Sequence, residues 1–119
     1  MQDLAGPVVI NAYEDGVIVV DSERYRLPCA IDATRGVQPL PLDRFADLDG
    51  EWLCGWLPRS PSILLLGCGA RQQFAPRALR ESMQARGTAT EAMPSAAACR
   101  TFNVLAAESR DVVALLFTE

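Results

Sequence analysis

The chain has 119 residues, half of them apolar, with 15 acidic and 11 basic side chains and a net charge of −4. This is the length of one domain, 1–119, with enough apolar material to close a core without disulfide or metal staples. It contains neither histidine nor lysine, every basic residue being arginine; imidazole-based nucleophile pairs, imidazole metal ligands, the lysine of a Walker phosphate loop and Schiff-base chemistry are therefore excluded.

Residues 1–58 hold ten acids against four arginines, and residues 59–119 five against seven. So small and interspersed a basic excess does not make a phosphate-tracking surface, and no nucleic acid is expected as a partner. The longest apolar runs are strand-sized, far short of the roughly 18 residues of a membrane helix. Met1 to Pro7 has no basic residue and no apolar signal core, so a cytoplasmic location without membrane insertion is expected. Cys29, Cys54, Cys68 and Cys99 form no Cys-x-x-Cys pair and are expected to be free thiols.

From Val8 to about Ile31 the pattern is a β-meander. Val8 to Tyr13 and Val17 to Asp21 are joined through Asp15-Gly16, a hairpin signal. In Arg24 to Leu27, Tyr25 and Leu27 point one way and the arginines the other, as in a sheet with one wet face. Pro28 marks an edge or an end. Residues 34–61 are irregular, with Asp43 to Leu48 as one helical turn, while Trp52, Leu53, Trp56 and Leu57 have the spacing of a helical face that packs on the core. Asp47 and Asp49 are expected to be solvated loop acids.

Ser62 to Leu66 is a wholly apolar strand ending at Gly67. A helix follows, opened by Pro76 and closed by Gly87, with Leu79 and Met83 inside. Thr88 to Met93 is the next strand, and Ser95 is placed to cap a helix running to about Glu108, with Ala98, Phe102 and Leu105 inward. Val112 to Phe117 closes the chain as a β-branched strand. The fold class is α/β with mixed α+β character: an N-terminal β-meander followed by a β-α-β-α-β unit.

Right-handed crossovers make the first two strands of that unit parallel, so the loops after them meet at one sheet edge. The candidate crevice comprises Gly67, Cys68, Gly69, Arg71 and Gln72 from one loop, and Ser95, Arg100 and Asn103 from the other. Two arginines near helix N-termini suit a small anion or a partner's carboxylate. The competing reading is structural: the glycines allow a tight turn, and Arg71 and Arg100 bridge Glu91, Glu108 or the acidic N-terminal half. Gly67-Cys68-Gly69 fails as a dinucleotide fingerprint because Gln72 stands where the third glycine belongs. Cys68 sits before a helix near Arg71 but has no histidine to activate it, which favours a packed, unreactive thiol. No metal site or cofactor is expected.

The run Leu64-Leu65-Leu66-Gly67-Cys68-Gly69, then Gln72, Phe74, Pro76 and Leu79, and above all Ala97-Ala98-Cys99-Arg100-Thr101-Phe102-Asn103-Val104-Leu105 with Glu108 and Arg110, resembles the Mth 938-like domain family. Its eukaryotic relatives include the mitochondrial complex I assembly factor 3 and the adipogenesis-associated Mth 938 domain protein. The resemblance implies stacked β and β/α layers, no established enzymatic activity, and at least one branch that works through protein partners. Cys68 stands where relatives commonly carry threonine and Pro94 where they carry aspartate, whereas Arg100, Thr101 and Asn103 are retained. The expected function is a noncatalytic module that binds a protein partner or assists assembly, through the crevice or the surface around Trp52 and Trp56. The alternative is an enzyme or small-anion-binding protein using the Gly67–Gly69 loop and Arg100.

Overall fold

The computed structural model describes residues 8–118; the Met1 to Pro7 stretch that bears on targeting lies outside them. Strands β1 (Ala12–Glu14), β2 (Val17–Val20) and β3 (Glu23–Arg26) form a small antiparallel sheet. The Asp15-Gly16 turn is as expected, both residues taking positive φ. The first strand is shorter than the Val8 to Tyr13 expectation, because Ile10 is bonded to a helix side chain instead.

The main sheet has the order β5 (Gly36–Pro39), β4 (Cys29–Asp32), β8 (Val112–Phe117), β6 (Ile63–Cys68), β7 (Ala89–Met93). The segment after Pro28, read as the end of the meander, is thus an inner strand of this second sheet, fully buried and antiparallel to β8. A strand at Gly36–Pro39 lies in the stretch expected to be irregular. Its proline is tolerated because it is at the strand end on the sheet's outer edge. The expected turn near Asp43 is a single 3-10 turn, Phe45–Asp47. The true helix there is α1 (Gly50–Trp56), started by Asp49, whose carboxylate accepts the Trp52 N–H at 2.9 Å. Asp49 is a helix cap, where only a solvated acid was expected.

Strands β6, β7 and β8 are parallel. The chain goes from β6 to β7 through α2 (Arg77–Gln84), then back past β6 to β8 through α3 (Ser95–Ala107). Since the two crossovers run in opposite directions and share one hand, they place α2 and α3 on opposite faces of the sheet. Alternate residues of the buried strands therefore feed two cores. Leu64, Leu66, Val113, Leu115 and Phe117 pack with α1 and α2, Phe117 meeting Phe45 edge-to-face at 6.0 Å. Leu65, Val112, Ala114 and Leu116 pack with Ala98, Phe102 and Ala106 of α3 and with Ile18 and Val20 of the small sheet.

One ion-paired cluster ties the far end of the sheet. Arg59, just after α1, holds Asp32 at the end of β4 with two bonds, 2.6 and 3.3 Å long, and also pairs with Asp111 before β8. Burial raises the Asp32 carboxyl, but bonds from Arg59 and from the Thr34 N–H and hydroxyl outweigh it and hold it below the usual carboxylate range.

Candidate functional site

The carboxyl ends of β6 and β7 meet as parallel pairing requires, and Ser95 N–H donates to the Gly69 carbonyl at 2.8 Å. Gly67 is packed against the start of α3: a Cβ there would lie 2.9 Å from Ser95 Oγ and 2.9 Å from Leu116 Cδ2. Only glycine lets the helix approach so closely. Gly69 has φ of +91°, which bends the loop away from the strand.

Ser95 does not cap α3. Pro94 supplies the extended entry into the helix without a side-chain cap, and Ser95 is its first residue. Its fully buried hydroxyl accepts the Gly69 N–H at 2.9 Å and donates to the Phe117 carbonyl at 2.6 Å. Those two backbone groups would otherwise be unpaired in the interior, a larger loss than an uncapped helix end near solvent. One serine thus joins the ends of β6 and β8 to α3.

The Cys68 thiol is buried and engaged with loop backbone: its neighbours are the carbonyls of Arg71 at 3.1 Å and Met93 at 3.2 Å, and it accepts the Gln73 N–H at 3.2 Å. Gln73, which sequence reasoning passed over, returns a bond from Nε2 to the Cys68 carbonyl at 3.1 Å. Gln72 turns outward and donates to the Ala92 carbonyl of β7 at 3.1 Å. Arg71 is exposed.

Arg100 and Asn103 are not in that loop cluster. Together with Ala96 and Cys99 of α3 they line an open groove of about 330 Å³ whose other wall is the segment Ile10 to Tyr13. Asn103 belongs to the wall itself: its Oδ1 accepts the Ile10 N–H at 2.8 Å and its Nδ2 donates to the Ile10 carbonyl at 2.9 Å. Arg100 is exposed, and among the described residues neither it nor Arg71 forms an ion pair; Glu108 pairs with Arg110. The bridges expected from Arg71 and Arg100 to Glu91 or Glu108 are absent there.

The groove offers no thiolate at neutral pH. Burial pushes the Cys99 thiol up to about 11, against a smaller lowering by Arg100, and burial with the neighbouring Cys99 pushes Cys29 up to about 12. Burial and Cys99 also raise the Tyr13 phenol. All four cysteines are free, and no group of three or more acidic or cysteine side chains among the described residues could hold a metal ion.

Away from these loops, Trp52 and Trp56 of α1 stack with centroids 5.6 Å apart and rings inclined by 18°. Both are half-buried against the α1–α2 core, in keeping with the packing expected of their spacing.

A family of proteins of unknown function (DUF498/DUF598) matches residues 10–117. The solution structure of a Bordetella pertussis protein described as a Mth938-like domain superposes with a TM-score of 0.78 and 28% identity, covering 99% of this chain and 92% of that one. A "13 kDa major membrane protein" of Francisella tularensis is 25% identical over 97% of this chain and 94% of its own length. The NADH dehydrogenase (ubiquinone) 1 alpha subcomplex assembly factor 3 of Xenopus tropicalis is 27% identical over 97% of this chain, which spans 63% of the frog protein. A match running from the clamped Ile10 to the last residue of β8, with the layered architecture to go with it, makes this chain a member of the DUF498/DUF598 family of Mth938-like domains.

Proposed function

We propose that the chain is a noncatalytic protein-binding module that assists the assembly of a partner. The observation that carries this reading is that, apart from the exposed Arg71 and Arg100, the polar side chains of the loop crevice and of the neighbouring α3 groove are committed to the protein's own backbone. Ser95 holds Gly69 and Phe117, Cys68 the Arg71–Gln73 loop, Gln72 holds Ala92 and Asn103 holds Ile10. Groups so engaged build surface shape and leave little to act on a substrate. Kinship with a protein named as an assembly factor supports the same reading. A cytoplasmic setting accords with four unpaired cysteines; among the described residues no helix is long and apolar enough to cross a membrane.

The test is affinity purification of the tagged chain from its native host, followed by size exclusion and mass spectrometry, with cell fractionation alongside. A stoichiometric protein that stays bound through size exclusion is the expected result. A chain that elutes alone with a bound metabolite overturns the reading in favour of a small-molecule site. The Arg100 groove is where a small anion would then sit, and phosphate-induced shifts of the amides from Ala96 to Asn103 would report it.

A further inference from the structure

Strand β7 is an edge of the main sheet and pairs on one side only, with β6. Ala89 donates its N–H to Ser62 on the β6 side at 3.0 Å. Backbone groups alternate in direction along a strand, so Thr90 and Ala92 aim theirs at the open side. The two ends of that opening are closed from within: Met83 accepts the Thr88 N–H at 3.0 Å, and Gln72 covers the Ala92 carbonyl. Between them the Thr90 N–H and carbonyl and the Ala92 N–H face outward. Edge strands are ordinarily blunted by proline, lysine or a bulge. This one, Ala-Thr-Glu-Ala-Met, has Glu91 as its one charge and no proline.

The flanks of the opening are shaped as well. One groove, about 410 Å³, is lined by Phe74, Ala75, Arg80, Thr90, Glu91 and Ala92. A second, about 420 Å³, continues it along the same strand, again with Arg80 and Thr90 in its wall. Phe74 is 85% exposed, more than any other large apolar side chain described. Arg80 has no carboxylate partner among the described residues; its Nε makes one long bond, 3.4 Å, to the Ala75 carbonyl. The Thr90 hydroxyl is buried without a hydrogen-bond partner.

We propose that the β7 edge receives an extended segment of a partner protein as an added strand, and that the segment carries a carboxylate for Arg80 and an apolar side chain that covers Phe74. This rests on the protein-binding reading above and gives it a surface. Charge complementarity decides against a second copy of this chain as the occupant. Antiparallel self-pairing that sets Thr90 opposite Thr90 brings two Arg80 side chains to one face of the seam. Self-pairing that sets Thr90 opposite Ala92 places Glu91 opposite Glu91. Both of these registers join like charges.

The probe is a capped peptide of about nine residues, alternating valine and threonine with one leucine and two glutamates, titrated into the ¹⁵N-labelled chain. A second peptide has lysine for glutamate. Saturable shifts centred on Thr90, Ala92, Phe74 and Arg80 are expected, with the lysine peptide binding roughly fivefold more weakly. Arg80→Glu should invert that preference. Thr90→Pro, which removes an outward N–H and leaves the β6 ladder intact, should abolish binding. The inference is overturned by shifts that avoid β7, by indifference to the peptide's charge and to Arg80→Glu, or by a solution dimer that Thr90→Pro dissolves. It is also overturned, with the protein-binding reading still standing, if a partner found by purification is retained by Arg80→Glu and Thr90→Pro alike.

Discussion

Asn103 on α3 grips both backbone groups of Ile10, 93 residues earlier, through a pair of bonds 2.8 and 2.9 Å long. A carboxamide used this way stands in for a neighbouring strand: it offers one acceptor and one donor to a residue that has neither β-partner at that point. The clamp seats the buried Ile10 side chain in the core beneath α3 and makes Ile10 to Tyr13 a wall of the Arg100 groove.

Asn103→Ala leaves the Ile10 N–H and carbonyl without partners in a half-buried place, and should cost about 1–3 kcal/mol of stability. Asn103→Asp keeps the acceptor for the N–H but turns an oxygen toward the Ile10 carbonyl, so it should not rescue the loss. Urea denaturation measures both, and hydrogen exchange should show the Ile10 amide losing protection ahead of the sheet. An alanine variant as stable as the parent would mean that water replaces the clamp without loss.

At the other end of α3, Ser95 and Gly67 form one joint. Ser95→Ala strands the buried Gly69 N–H and Phe117 carbonyl, and a loss of about 2 kcal/mol is expected. Gly67→Ala puts a methyl 2.9 Å from Ser95 Oγ and from Leu116 Cδ2, and 3.1 Å from Ser95 Cα, and should cost about 1–3 kcal/mol by overpacking. The two sites touch, so the double variant should lose less than the sum. A double-mutant cycle on thermal or urea unfolding reads this coupling.

How much of this was legible in the sequence follows from the range of each interaction. The apolar run Ile63 to Leu66, the Pro76–Gly87 frame and the Val112–Phe117 strand are local signals, and an element forms at each, although β6 runs on through Gly67 and Cys68, which the sequence pattern places in the loop. The strand Cys29–Asp32 is not set apart from the end of the meander by any local signal beyond Pro28; only pairing with β8, far along the chain, gives it to the second sheet. Gly36–Pro39 was missed since glycine and proline mask a short edge strand. Within the candidate site, the meeting of Gly69 and Ser95 came directly from parallel crossover logic. That Ser95 looks inward, and that Arg100 and Asn103 face the N-terminal segment, depends on contacts that no spacing encodes. Arg59, joining Asp32 and Asp111, belongs to the same class.

Arg59 also sets an acid limit. The folded Asp32 carboxyl is held below its usual range, so its contribution to stability is complete above the unfolded value of about 3.9 and is lost as pH falls through the folded value. Asp32→Asn removes this dependence while also weakening the grip on Arg59. The variant should therefore be less stable at pH 7 and show a shallower loss as pH falls below the ordinary carboxylate value. Equal acid slopes for the two proteins would assign the acid limit to other carboxylates.

The buried thiols set the opposite limit. Cys29 is pushed up to about 12 and Cys99 to about 11, both from an ordinary value of 9.0. The folded state keeps protons that the unfolded chain gives up, so stability is undiminished below pH 9 and falls as pH rises from about 9 toward 12. Cys29→Ala leaves a small cavity and lowers stability at pH 7, yet should flatten that alkaline decline. At neutral pH the native chain should leave both thiols unlabelled by a thiol reagent until urea unfolds it, with mass spectrometry assigning the sites. Rapid labelling of Cys99 in the native state would show that the Arg100 groove opens far enough to admit a reagent, and would make that thiol a candidate for chemistry.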